Sequence, residues 1–173
     1  MKARFLLALF ASTWASGAAA QTPPVYGCDN PESKQLDFWL GEWELTYAGP
    51  NNAVAKSRNR VTKIMDGCAV LEQFEGSPGT KLNGHSVSIF DRATKRWKQT
   101  WVDNTASYLD FNGGLADGKM TFTREAERQG KKVRQRKVFQ DIRPDALKWL
   151  WQASPDGGAT WTTQWEIDYK RVR

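Results

Sequence analysis

Histidine is almost missing from this 173-residue chain, which has one, and cysteine and methionine are scarce, at two and three. One histidine leaves no H-E-x-x-H pair and no histidine cluster to hold a metal. The two cysteines, Cys28 and Cys68, are too far apart for a C-x-x-C pair. There is no glycine-rich phosphate loop, no G-x-G-x-x-G fingerprint and no G-x-S-x-G nucleophile elbow. These absences remove zincins, P-loop nucleotide hydrolases, Rossmann-type dehydrogenases and α/β-hydrolases. No metal and no cofactor is expected. Beyond the first twenty residues no apolar run is long enough for a membrane-spanning helix.

What is present begins with a targeting pattern. Met1-Lys2-Ala3-Arg4 is short and basic, Phe5 to Trp14 is mostly apolar, and Ala18-Ala19-Ala20 offers the small residues a signal peptidase accepts. The pattern predicts a cleaved signal peptide over 1–20 and one exported domain over 21–173, periplasmic or secreted. Lys2 and Arg4 supply two of the net +6 charges, so the exported part carries +4. That mild basicity favours anionic partners, and export weighs against nucleic acid. Val25-Tyr26-Gly27-Cys28 is a loose lipobox, but Pro23 and Pro24 separate it from the apolar run and Tyr26 is bulky where a small residue is wanted. In an oxidising compartment two cysteines pair by default, so a Cys28–Cys68 disulfide is expected. A catalytic thiol would need a partner that the neighbouring sequence does not offer.

Asn30-Pro31-Glu32 reads as a helix start, with Asn as the cap and Pro at the first position. Leu36, Trp39 and Leu40 then share a helical face, and Gly41 can end the helix. Trp43, Leu45 and Tyr47 alternate with polar residues, which is strand periodicity. From there the chain repeats strand and turn. Strands are expected at 42–48, 56–65, 69–75, 83–90, 96–103, 106–112, 118–127, 131–141, 146–153 and 160–171. Asp66-Gly67, Asp91 to Lys95, Asp103-Asn104, Asp117-Gly118, Gln129-Gly130 and Pro144-Asp145 punctuate them. Short links make consecutive strands antiparallel neighbours. Roughly ten strands then close into an up-and-down meander barrel, which removes both sheet edges. A two-sheet sandwich is the alternative.

Gly41-Glu42-Trp43 is a G-x-W at the start of the first strand, just after a short helix. That placement resembles the calycin group of lipocalins, fatty-acid-binding proteins and nitrobindin-like barrels. The resemblance implies that Trp43 plugs one barrel end, with a basic residue, Arg171 or Arg173, over its indole. The stretches LDFWLGEWEL, MDGCAVLEQFEG, SVSIFDRATKRWKQTWVDN and SPDGGATWTTQWEIDYKR together resemble uncharacterised bacterial exported proteins with a calycin-like barrel domain, over 28–171. That resemblance implies fold and export and carries no activity. A nitrobindin-like haem would need its ligand late in the barrel, and His85 lies mid-chain, so haem is not expected.

Ser154, Asp156, Gly158, Thr160 and Trp161 fit the Asp-box pattern known from sialidases, a structural turn held by side-chain bonds to backbone amides. Trp97, Gln99, Trp101 and Asp103 share one strand face, and Trp149 and Trp151 share another. Aromatic walls with a few polar groups make a small-ligand cavity, and packed core is the plainer reading. Arg124, Arg128, Lys131, Lys132, Arg134, Arg136 and Lys137 concentrate positive charge on one expected hairpin, and Lys132, Arg134 and Arg136 alternate onto one face of it. Because charges are rarely buried unpaired, that face is favoured outward; turned inward, Arg134 or Arg136 would meet a ligand anion. The expected function is binding of a small, partly apolar or anionic molecule, by a monomer or small homo-oligomer. The ligand-binding residues are Trp97, Gln99, Trp101, Asp103, Trp149 and Trp151, with Arg134 or Arg136. An enzyme using Asp103 as general base and an envelope interaction module with a filled barrel are the rival readings.

Overall fold

The structure, a computed structural model, describes residues 27–172. The expected signal segment 1–20, the lipobox residues Val25 and Tyr26, and Arg173 lie outside the described residues. Ten strands follow in order: β1 Gly41–Ala48, β2 Val54–Ile64, β3 Ala69–Glu75, β4 Asn83–Asp91, β5 Arg96–Asp103, β6 Tyr108–Ala116, β7 Lys119–Arg128, β8 Lys131–Gln140, β9 Ala146–Ser154 and β10 Thr162–Arg171. Each pairs antiparallel with its neighbour in sequence, and β1 pairs with β10 to close the barrel. Closure excludes the sandwich alternative.

Alternation sorts the side chains. On β1, Trp43, Leu45 and Tyr47 are buried and the residues between them exposed. On β2 the inward set is Ala55, Ser57, Asn59 and Val61. Asp117-Gly118 and Gln129-Gly130 are two-residue turns with both φ angles positive, the geometry that suits the twist of paired strands. The turn at Asp66-Gly67 is longer, with Met65 joining it in the left-handed region.

The short N-terminal helix is there, as two 3-10 segments, Pro31–Lys34 and Asp37–Trp39. Asn30 does not cap it; its amide donates to the Glu32 carboxylate at 2.8 Å. So short a segment cannot repay helix nucleation, and the tighter 3-10 spacing puts Leu36 and Trp39 on the barrel end together. β6, expected at 106–112, starts at Tyr108 and runs on to Ala116, through Gly113-Gly114. Gly113 is a strand residue because the β7 backbone lies against it, and a Cβ there would collide with the Thr121 carbonyl.

The 3-10 turns close one end. Trp43 donates its indole N–H to the Trp39 carbonyl at 2.8 Å. Arg171 lies over the Trp43 ring, 4.1 Å from its centroid. Its guanidinium also donates to the carbonyls of Leu40, Phe38 and Pro144. Gly41 has φ +118°, and a Cβ there would sit 2.5 Å from the Arg171 guanidinium. The glycine therefore makes room for the arginine as well as starting the strand. A Cys28–Cys68 disulfide ties the first turn to the β2–β3 link. With its sulfur so bonded, Cys28 has no thiol to carry a lipid.

A candidate ligand cavity in the open half of the barrel

The closed half is filled by Trp43, Trp97, Met120, Phe122, Phe139 and Leu147. Above it the strands spread around a cavity of about 210 Å³. Trp149 and Trp151 on β9 and Trp165 on β10 form one wall, and Phe74, Trp101 and Leu109 stand against them. Trp39 and Phe139 contribute to its floor. The rings meet edge-on: Trp149 and Trp165 at 5.9 Å, Phe111 and Trp151 at 6.0 Å. A register shift in β10 between Thr163 and Trp165 marks a bulge beside this wall.

The polar side of the interior comes from β2 to β5. Glu72 is buried and accepts hydrogen bonds from Asn59 at 2.8 Å and Ser86 at 2.6 Å. Asn59 also donates to the Tyr169 hydroxyl at 3.3 Å. Burial, helped by the Glu72 charge, pushes the Tyr169 phenol well above its ordinary range. Gln99 donates to Ser88 at 2.9 Å and accepts from Lys137 at 2.8 Å.

Lys137 is the residue that sequence reasoning missed. It is only 6% exposed and lines the cavity, with its ammonium 5.0 Å from the Trp101 ring centroid and 4.4 Å from that of Phe111. Gln99 is its one hydrogen-bond acceptor among the described residues, so one of three N–H groups is used. Among the described residues no carboxylate lies within 4.0 Å of it. Burial lowers its pKa to about 8; the Glu72 charge opposes that shift and the Arg124 charge adds to it. Trp39, on the cavity floor, has a buried indole N–H that finds no acceptor among the described residues. The signal for Lys137 was parity. It falls in phase with Gln135 and Phe139, both buried, and Glu72 falls in phase with Val70 and Phe74.

The expected binding residues divide. Trp101, Asp103, Trp149 and Trp151 line the cavity. Trp97 and Gln99 do not: Trp97 lies in the closed half, donating to Gln35 at 3.0 Å, and Gln99 sits behind Lys137. Arg134 and Arg136 do not line the cavity either; both lie on the outward face, as favoured from sequence. Arg134 donates to the Gly157 carbonyl at 3.0 Å. Arg136 stacks on Trp161 at 4.0 Å and donates to Gln152 at 2.7 Å. Both thereby brace the hairpin of Ser154, Asp156, Gly158, Thr160 and Trp161. There Asp156 accepts from Ser154 at 2.6 Å and from the Thr160 amide at 3.0 Å, bonds that hold its carboxyl well below the usual range. Trp161 donates to the Gly158 carbonyl at 3.0 Å.

Asp103 sits on the rim. Burial works to raise its pKa, but hydrogen bonds from Thr105, Trp101 and two backbone amides outweigh it and hold the carboxyl at about 2. A carboxylate so stabilised is a poor proton acceptor at neutral pH. His85 is exposed on the outer face of β4.

A crystal structure of a protein of unknown function from the DUF3598 family of Nostoc punctiforme is similar at 10% identity and a TM-score of 0.25, covering 83% of this chain and 100% of that one. A likeness that weak carries no argument. No curated protein matches the chain. A family model described as a protein of unknown function matches residues 29–171, and the chain belongs to that family, DUF1579.

Proposed function

We propose that this is an exported, calycin-type barrel that binds a small molecule with an aromatic or apolar body and an acceptor group, most simply a carboxylate. The observation that carries the reading is Lys137: a buried ammonium, boxed by aromatic rings, with one acceptor for three donors. Burying a charge so poorly paired is costly, and a ligand carboxylate would offset the cost. Size sets the scale. An apolar cavity of about 150 Å³ holds benzene, so about 210 Å³ suits one substituted ring or a short chain. Export is supported by the pattern of residues 1–20 and by the disulfide, which persists in oxidising compartments.

The rivals find less support. The low pKa of Asp103 counts against a general base, and a cavity of this size counts against a filled barrel acting only through its surface.

The test is a tryptophan-fluorescence titration with benzoate, cinnamate and their uncharged amides. The acids are expected to bind about tenfold to a hundredfold tighter at pH 7, as a charge-assisted bond predicts. Their affinity should fall as pH rises through about 8, where Lys137 loses its charge. Trp101→Ala should weaken acid and amide alike. Equal binding of acid and amide would remove Lys137 as the anchor, and no binding of either would remove the cavity reading.

A further inference from the structure

An ammonium bears three N–H groups, whereas a protonated imine bears one. The surroundings of Lys137 offer one acceptor, Gln99, and two aromatic faces, Trp101 and Phe111. That is the coordination an iminium needs: one hydrogen bond and a π-surface for the charge. We propose that Lys137 is a nucleophile that captures small aromatic aldehydes as a reversible imine inside the barrel. The proposal rests on the cavity reading above and adds a covalent step to it.

The step balances without an oxidant or reductant. Lys137 first gives up a proton, and its free lone pair attacks the aldehyde carbon. A C–N bond forms while the carbonyl oxygen takes a proton, giving a carbinolamine. The hydroxyl then leaves with a second proton as water, and the nitrogen lone pair closes the C=N bond. Ammonium and aldehyde become iminium and water, with the single positive charge conserved. The iminium keeps its one N–H on Gln99 and its charge against the two rings. Glu72 supplies the counter-charge from the opposite wall, since β3 and β8 are five strands apart around a ring of ten.

An amine attacks only when neutral, and desolvation in an apolar pocket is how proteins activate lysine. With a pKa of about 8, Lys137 is neutral in about one molecule in ten at pH 7, against roughly one in 2,500 for an ordinary lysine. The other titratable and charged groups facing this space are Glu72, Asp103, Tyr169 and, beside Lys137, Arg124. Asp103 is already ionised and Tyr169 stays protonated at neutral pH, so neither competes for the aldehyde.

The experiment treats the oxidised, folded protein with benzaldehyde and cyanoborohydride at pH 7, which fixes the imine as a benzyl-amine. Intact mass and peptide mapping then locate the adduct. The expected result is one benzyl group on Lys137, forming about a hundredfold faster than on an exposed lysine such as Lys132. Excess benzoate should block it, and Lys137→Met should abolish it. Lys137→Gln serves as the second variant if the methionine variant does not fold. Label spread over exposed lysines with Lys137 untouched would overturn the proposal. In that case, benzoate binding by fluorescence would leave the cavity reading standing, and loss of benzoate binding as well would remove both.

Discussion

Trp39, Trp43 and Trp97, in the closed half of the barrel, are 1%, 0% and 1% exposed. Trp101, Trp149, Trp151 and Trp165, in the open half, are all only half-buried and surround an unfilled centre. The same residue type is thus used as filling at one end and as wall at the other. The cations differ in the same sense. Arg171 gives hydrogen bonds to three carbonyls while it covers Trp43, and Lys137 gives one while it faces Trp101 and Phe111. A well-paired cation over a packed ring contributes to stability. An under-paired cation beside empty volume reduces stability and is of use only if something comes to pair with it.

The sharpest way to break that contrast is Trp43→Ala. Removing a fully buried indole from the packed half is expected to cost about 3–5 kcal/mol, read as a lower urea midpoint. Trp101→Ala should cost clearly less, because its ring already borders open space. Equal losses would mean the two halves are packed alike.

Next in size is Lys137→Met, and its sign is opposite. The folded-state pKa lies below the ordinary 10.5, at about 8, so the unfolded chain binds the extra proton between those values. The lysine therefore penalises folding most below about pH 8, and the penalty is lifted as pH rises towards 10.5. The variant is expected to be more stable by about 3 kcal/mol at pH 7, with the gain fading between pH 8 and 10.5. A variant that is destabilised at pH 7 would show that the ammonium is already well accommodated.

The smallest effect belongs to Arg136→Ala on the outer wall. Losing the stack on Trp161 should cost at most about 1 kcal/mol and leave benzoate binding unchanged. A tenfold loss of benzoate affinity would return Arg136 to the list of ligand contacts.

Much of this contrast could be read from the residues in order. Alternation of apolar and polar residues placed every strand, because the period of two is local and each turn carries its own glycine or aspartate. β6 runs past its expected end because the glycine there serves close packing against β7, which only the neighbouring strand reveals. The wall tryptophans Trp101, Trp149 and Trp151 were visible for the same local reason. Trp165, Phe74 and Trp39 were not, since they join the cavity from strands and a turn distant in sequence. Lys137 was counted with the basic hairpin and overlooked as an inward residue. Its phase was legible, but what accommodates a charge there is Gln99, thirty-eight positions away. Glu72 was hidden by the same prior that charges face water.

The order of the strands also has a consequence in time. Nine of the ten pairings join strands adjacent in sequence and can form as local hairpins; only β1 with β10 spans the chain. Bringing those two together costs the most loop entropy, so barrel closure is the late, slow event of folding. Arg171 meets Trp43, Leu40 and Phe38 across that seam, and its bonds can form only once the ends have met. It is therefore a latch that slows opening and leaves the rate of folding nearly unchanged.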